Sequence, residues 1–225
     1  MRGVAVVIPV HNGELYLGEA VESALSQTLA PANIIIVDDG SEDATPDVAR
    51  RFHSRVDYVR QHRSGAAAAR NRGVAMTTGD LVAFLDADDV WLPDKLQRQT
   101  EAMPEDEAAV MVFGRVVQFA SPDLDELSRA ALQFNSDPMP GPCASTLLLR
   151  RRDFMRAGWF DPRLSLGDFV EWYARARDAN IGEVALNAVV CRRRLHQNNM
   201  SRRLRPAWSD YAKVLKGVLD RRRLR

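Results

Sequence analysis

Val4–Val10 is an unbroken apolar run of strand length, Ile34–Val37 and Leu81–Leu85 repeat it, and Val56–Val59 reads as a short third strand, at intervals that helical segments fill. A strand without polar alternation is buried on both faces. Leu15–Leu29 carries Leu15, Ala20, Val21, Ala24 and Leu25 at helical spacing. Thr45–Phe52 has Pro46 near its start, where a helix tolerates it. Ala66–Met76 reads as a third helix, weakened by Gly73. Strands that alternate with helices predict an α/β fold, a mostly parallel central sheet with right-handed crossovers and flanking helices.

Beyond residue 90 the pattern changes. A helix is predicted from Pro93 to about Met103, then a long strand Val110–Phe119 and an irregular, proline-rich segment over 120–142. A strand over Thr146–Leu149, helices over Arg152–Ala157 and Phe169–Ala179, and a strand over Val184–Arg192 follow. No repeat or low-complexity linker divides the chain. It reads as one domain over 1–200, in two halves over 1–100 and 101–200, followed by a basic extension over 201–225.

Composition narrows the class. Apolar residues are 46% and charged residues 27%, the profile of a globular protein. No apolar run reaches the length of a membrane span, and Met1–Gly3 leads straight into a strand rather than a signal peptide. The expectation is a cytoplasmic protein. Cys143 and Cys191 form no disulfide framework and no zinc pattern. From Arg192 onward twelve Lys/Arg face two acids, Asp210 and Asp220. Pro206–Leu219 reads as a helix with Trp208, Tyr211, Leu215 and Val218 on one stripe. That stripe either packs on the domain or lies on an anionic membrane as a peripheral contact. No recognition motif accompanies the charge, so nucleic acid is not expected as a partner.

In open α/β sheets, ligands sit at the carboxyl ends of the strands. Here the first strand runs into Pro9-Val10-His11-Asn12-Gly13-Glu14, the second ends in Asp38-Asp39, and the fourth in Asp86-Ala87-Asp88-Asp89. Carboxylates gathered on one edge repel, and a hard divalent cation, Mn²⁺ or Mg²⁺, would relieve them and hold a diphosphate. Taken singly, such residues also serve as turn formers and helix caps, the role expected of Asp43 and Asp80. The first turn, His11 to Tyr16, lacks the Gly-x-Gly-x-x-Gly of a dinucleotide site, and no P-loop is present.

Four blocks together, Val6–Gly13, Val37–Ser41, Ala69–Gly73 and Phe84–Asp89, resemble the signature of glycosyltransferase family 2, in order and spacing. Gly158–Asp161 and His196–Ser201 resemble later family patterns more loosely. The resemblance implies the GT-A fold of nucleotide-diphospho-sugar transferases and an inverting, metal-dependent transfer of a sugar from a UDP- or dTDP-linked donor. The acceptor class, whether saccharide, lipid-linked or natural product, is left open. It also implies roles. Pro9, Val10, His11 and Glu14 would border the nucleoside, with Asp38 and Asp39 at the base and Asp39 accepting from the imide. Arg70 would lie near base and diphosphate, Asp86 and Ala87 at the ribose, and Asp88 on the metal, joined by His196. The family's general base comes from an acidic pair at a late helix start. Here Phe169 replaces the second acid, so Asp168 takes the role, with Glu171 one turn on as the alternative and a helix cap as the plain reading of Asp168. Two rivals stand beside this: a nucleotidyltransferase, which would need a basic, Gly-rich loop after the first strand, and a non-catalytic nucleotide-sugar-binding relative. Trp91, Trp159 and Trp172 are candidates for sugar stacking or for the core.

Overall fold

The computed structural model describes residues 3–105, 108–130, 132, 134–199 and 216–217. Its N-terminal half is the predicted alternation: β1 (Val4–Val10), α1 (Leu17–Leu25), β2 (Asn33–Asp38), α2 (Thr45–Arg50), β3 (Asp57–Arg60), α3 (Ala66–Met76) and β4 (Leu81–Phe84). The four strands pair in parallel in the order β3-β2-β1-β4. Strand β1 is buried along its whole length, as its unbroken apolar run requires.

The second half adds β5 (Val90–Trp91), α4 (Lys95–Glu101), β6 (Val110–Ala120), α5 (Glu126–Ala130), β7 (Met139–Pro140), a 3₁₀ turn over Ala144–Thr146, β8 (Leu148–Arg150), α6 (Arg151–Ala157), α7 (Asp168–Asp178) and β9 (Gly182–Leu195). Strand β8 joins β4 and β6 antiparallel, β6 pairs β9 in parallel, β5 closes one edge antiparallel to β9, and β7 pairs antiparallel with β6. The sheet is therefore mixed, with three of its four parallel pairings in the N-terminal half.

Pleating sends alternate side chains to opposite faces. Val4, Val6, Ile8 and Val10 join Leu17, Val21, Ile34 and Ile36 in one core layer. Val7, Val82 and Phe84 join Phe154, Phe160 and Trp172 in the other, where α3, α6 and α7 cover the sheet. Trp91 and Trp172 are core residues, and Trp159 is partly exposed.

Helix α1 is shorter than the predicted 15–29. Its start is set by the Gly13 carbonyl, which accepts from the N–H groups of Tyr16 and Leu17. Its end is set by Gln27 and Thr28, which bond the Leu92 and Pro93 carbonyls instead of continuing the helix. The helix expected over 206–219 lies outside the described residues apart from 216–217, which are helical.

Candidate active site at the strand ends

The turn after β1 is stitched to the turn after β2. Asn12 takes a left-handed φ of 51°, which its short polar side chain tolerates. Its N–H donates to Ser41 Oγ at 2.9 Å, and Gly13 N–H donates to Thr45 Oγ1 at 2.8 Å. The exposed Glu14 carboxylate accepts from Ala44 N–H at 2.9 Å. His11 Nδ1 lies 3.0 Å from the Asp39 carbonyl oxygen, and Asp39 N–H donates to the Val10 carbonyl. Pro9, Val10 and His11 thus stand at the lip beside Asp39, whereas Glu14 faces away into the turn of Ala44.

The two acids of the second strand end divide their work. Asp38 is fully buried and closed on its own chain, accepting from Ser41 N–H at 2.7 Å and Tyr58 Oη at 2.6 Å. Burial first, then the hydrogen bond to Asp38 and the Asp38 charge, raise the pKa of the Tyr58 phenol. Asp39 accepts from Gln61 Nε2, Ser64 N–H and Gly65 N–H at 2.7–2.8 Å, and so shapes the turn that starts α3. A carboxylate offers about four acceptor sites, so one remains for a ligand. Gly40 cannot be replaced within this turn: its φ is +72° and a Cβ would lie 3.0 Å from Arg63 N.

Helix α3 delivers Arg70 to the centre. Its guanidinium is 7% exposed and forks between two carboxylates, Nη2 to Asp86 Oδ1 at 2.6 Å and Nη1 to Asp168 Oδ2 at 2.7 Å. Burial opposes the Arg70 charge, but the two acids outweigh it and raise its pKa. Burial likewise opposes ionisation of Asp86, and the Arg70 guanidinium outweighs it, holding the carboxyl below its usual range. The next residue, Asn71, pairs with the backbone of Phe160 in both directions, at 2.8 and 2.9 Å, and ties α3 to the turn before α7.

Asp168 is not a helix cap. Gly167, at φ 80°, occupies the cap position, no side-chain cap bond forms, and the Asp168 carboxylate turns to Arg70. Glu171 faces Arg175, at 2.8 Å, and Arg175 also donates to the carbonyls of Ala157 and Trp159. Glu171 therefore anchors the turn that carries Trp159, while Asp168 faces the strand ends.

At the tip of β4, Asp86, Ala87 and Asp88 are half-buried. Asp88 Oδ2 lies 3.0 Å from His196 Nε2 and accepts from Asn199 Nδ2 at 3.1 Å. His196 Nδ1 is buried and has no partner among the described residues, and its ring packs on Tyr16 at 4.6 Å. Asp89 is buried, and burial together with the charges of Asp88 and Asp86 pushes its carboxyl well above the usual range. The 3.0 Å between Asp88 Oδ2 and His196 Nε2 fits two adjacent ligands of one octahedral divalent cation, which stand about 3 Å apart at typical Mg²⁺ bond lengths. Among the described residues no group of three or more His, Cys, Asp or Glu is placed to hold a metal ion.

Several residues that shape this site carry no sequence signal. Arg194 is buried, stacks between Tyr16 and Phe119, bonds Glu19, and donates to the Asp88 carbonyl at 3.1 Å. Arg193 falls on the opposite side of β9, exposed, with the charges of Asp89, Asp86 and Asp88 acting on it. Asn199 and Ser145 supply donor and acceptor groups to the β4 loop. For the two arginines only the alternation of β9 gives a hint, and its three successive arginines do not show which face each takes, whereas Asn199 falls within the His196–Ser201 stretch.

Comparison with known proteins places the fold. An uncharacterised glycosyltransferase of Rickettsia typhi is 29% identical over 191 residues, 79% of this chain and 60% of that protein. One of Nostoc is 36% identical over 139 residues, 60% of this chain and 43% of that protein. The chain thus spans roughly half the length of the curated relatives it matches. Among solved structures, S. aureus TarS 1–349 in complex with UDP superposes with a TM-score of 0.72 at 15% identity, covering 96% of this chain and 64% of that one. The complex of the same fragment with UDP-GlcNAc gives 0.69, again at 15% identity, covering 88% and 60%. The family model for glycosyl transferase family 2 matches residues 5–184, and the chain belongs to that family.

Proposed function

We propose that this protein transfers a sugar from a UDP- or dTDP-linked donor to an acceptor hydroxyl with inversion at the anomeric carbon. The observation that carries the reading is the meeting of Asp86 and Asp168 on Arg70, beside the Asp88–His196 pair. Asp39, with one acceptor site left, takes the imide of the base. Asp86 and Ala87 meet the ribose, and Arg70 stands between base and diphosphate. Asp88 and His196 would hold Mn²⁺ or Mg²⁺, which when bound offsets charge on the diphosphate.

Asp168 receives the acceptor's proton as its oxygen attacks the anomeric carbon and the bond to the diphosphate breaks. Gly167 and Arg70 set the orientation of that carboxylate. The structures of TarS with UDP and UDP-GlcNAc support a uridine donor. The turn after β1 is pinned to Ser41 and Thr45 and offers no basic Gly-rich loop, which disfavours the nucleotidyltransferase reading.

Thermal stabilisation by a panel of UDP, dTDP, ADP and GDP, with and without Mn²⁺, tests the donor class. A ligand that binds only the folded state raises the apparent midpoint by mass action. UDP or dTDP with Mn²⁺ should give the largest rise. Equal response to all four diphosphates would remove the role given to Asp39.

A further inference from the structure

Asp86 and Asp168 come from opposite halves of the chain, and one buried guanidinium seats both. That guanidinium has little freedom. Asp39 fixes the start of α3, Asn71 fixes its distance to Phe160, and the Phe160 ring lies 5.8 Å from Arg70 Cζ. Arg70 Nε is buried and has no partner among the described residues, so the side chain is held by its two carboxylate contacts rather than by a third bond. Asp168, with no capping bond, depends on Nη1 for its orientation.

We propose that Arg70 is the positioning residue for the general base: it holds one oxygen of Asp168, leaves the other for the acceptor proton, and links the base to the ribose-side carboxylate Asp86 through a single side chain. This rests on the reading of Asp168 as the base. A fork holds geometry where a point charge does not, so the arrangement needs arginine rather than any cation. A donor that engages Asp86 changes the load on Nη2, and the same rigid fork carries that change to Asp168.

The test is a double-mutant cycle on turnover at saturating donor, using R70Q, D168N and R70Q/D168N, with UDP affinity measured on each. Misplacing a catalytic group by about 1 Å can cost roughly 10²-fold, so R70Q should lower kcat by about 10–10²-fold. In the D168N background the same change should cost less than about threefold, because the group that Arg70 serves is already gone. Losses that multiply would overturn the proposal and leave Arg70 acting on the donor alone. Full turnover in D168N would instead remove the base assignment itself, whatever R70Q does. If R70Q does not fold by circular dichroism, R70K keeps the buried charge without the fork and should show the same non-additivity. A fully active R70K would contradict the need for the fork.

Discussion

Asp168 and Glu171 lie one helical turn apart, and their partners separate their roles. Asp168 reaches across to α3, whereas Glu171 is spent within α7 on Arg175. Replacing the base by its amide should lower turnover by about 10²–10⁴-fold with UDP affinity nearly unchanged. For D168N we expect that pattern. E171Q should keep most of its turnover and lose stability, by on the order of 1 kcal/mol, as Arg175 loses its anchor. Steady-state rates and thermal melts on the two variants check this, and the opposite pattern would move the base to Glu171. Lys95 makes a separate claim. It is fully buried, bonds Gln99 Oε1 at 2.6 Å, lies 4.1 Å over the Trp91 ring, and burial pushes its pKa down to about 7. An unfolded lysine titrates near 10.4, so between about pH 7 and pH 10 the unfolded chain binds more protons and stability rises with pH. Lys95→Met should therefore gain stability relative to the parent as pH falls from 10 to 7, and the gap should flatten below 7. A pH-independent gap in melting temperature would contradict this. Nothing in the sequence marks Lys95, because it occupies a helix position where lysine is ordinarily exposed.

At the scale of elements, the block Ala69–Gly73 does four jobs in one turn and a quarter of α3. Ala69 packs against β2, Arg70 forks, Asn71 pairs with Phe160, and Gly73 lets the helix lie on β1. A Cβ on Gly73 would stand 2.2 Å from Val7 Cγ1, so G73A should destabilise by about 1–3 kcal/mol or more despite alanine's better helix propensity. Asn71→Ala leaves the Phe160 N–H and carbonyl unpaired and should cost about 1–3 kcal/mol. Chemical denaturation reads both, and a stabilised G73A would show that the contact relaxes freely. The long buried strands and α3 were legible because their apolar runs have one reading. Strands β5 and β7 were not, since two residues carry no period, and α5 lies in a segment whose prolines point to loop. The sequence placed Gly73 as a weak point in a helix; only the approach of Val7 shows why glycine is needed.

For the whole molecule, the predicted gathering of acids at the strand ends holds, and the chain's own side chains answer much of it. Arg70 takes Asp86 and Asp168, His196 and Asn199 meet Asp88, and burial pushes the Asp89 carboxyl well above the usual range. Carboxylate placement was readable from β1, β2 and β4, because in parallel pairing every strand end falls on one edge. The pairing of Arg70 with Asp168 was not, because it depends on how the antiparallel half folds back over 98 residues. Among the described residues no helix is long and apolar enough to cross a membrane. The central claim is a nucleotide-diphosphate site at these strand ends with Asp88 as its metal ligand. Calorimetric titration of UDP into the parent and into Asp88→Asn, each with and without Mn²⁺, tests it most directly. The account predicts tight, Mn²⁺-dependent UDP binding in the parent and loss of that dependence in Asp88→Asn with the fold intact; UDP affinity that is the same in all four titrations would contradict it.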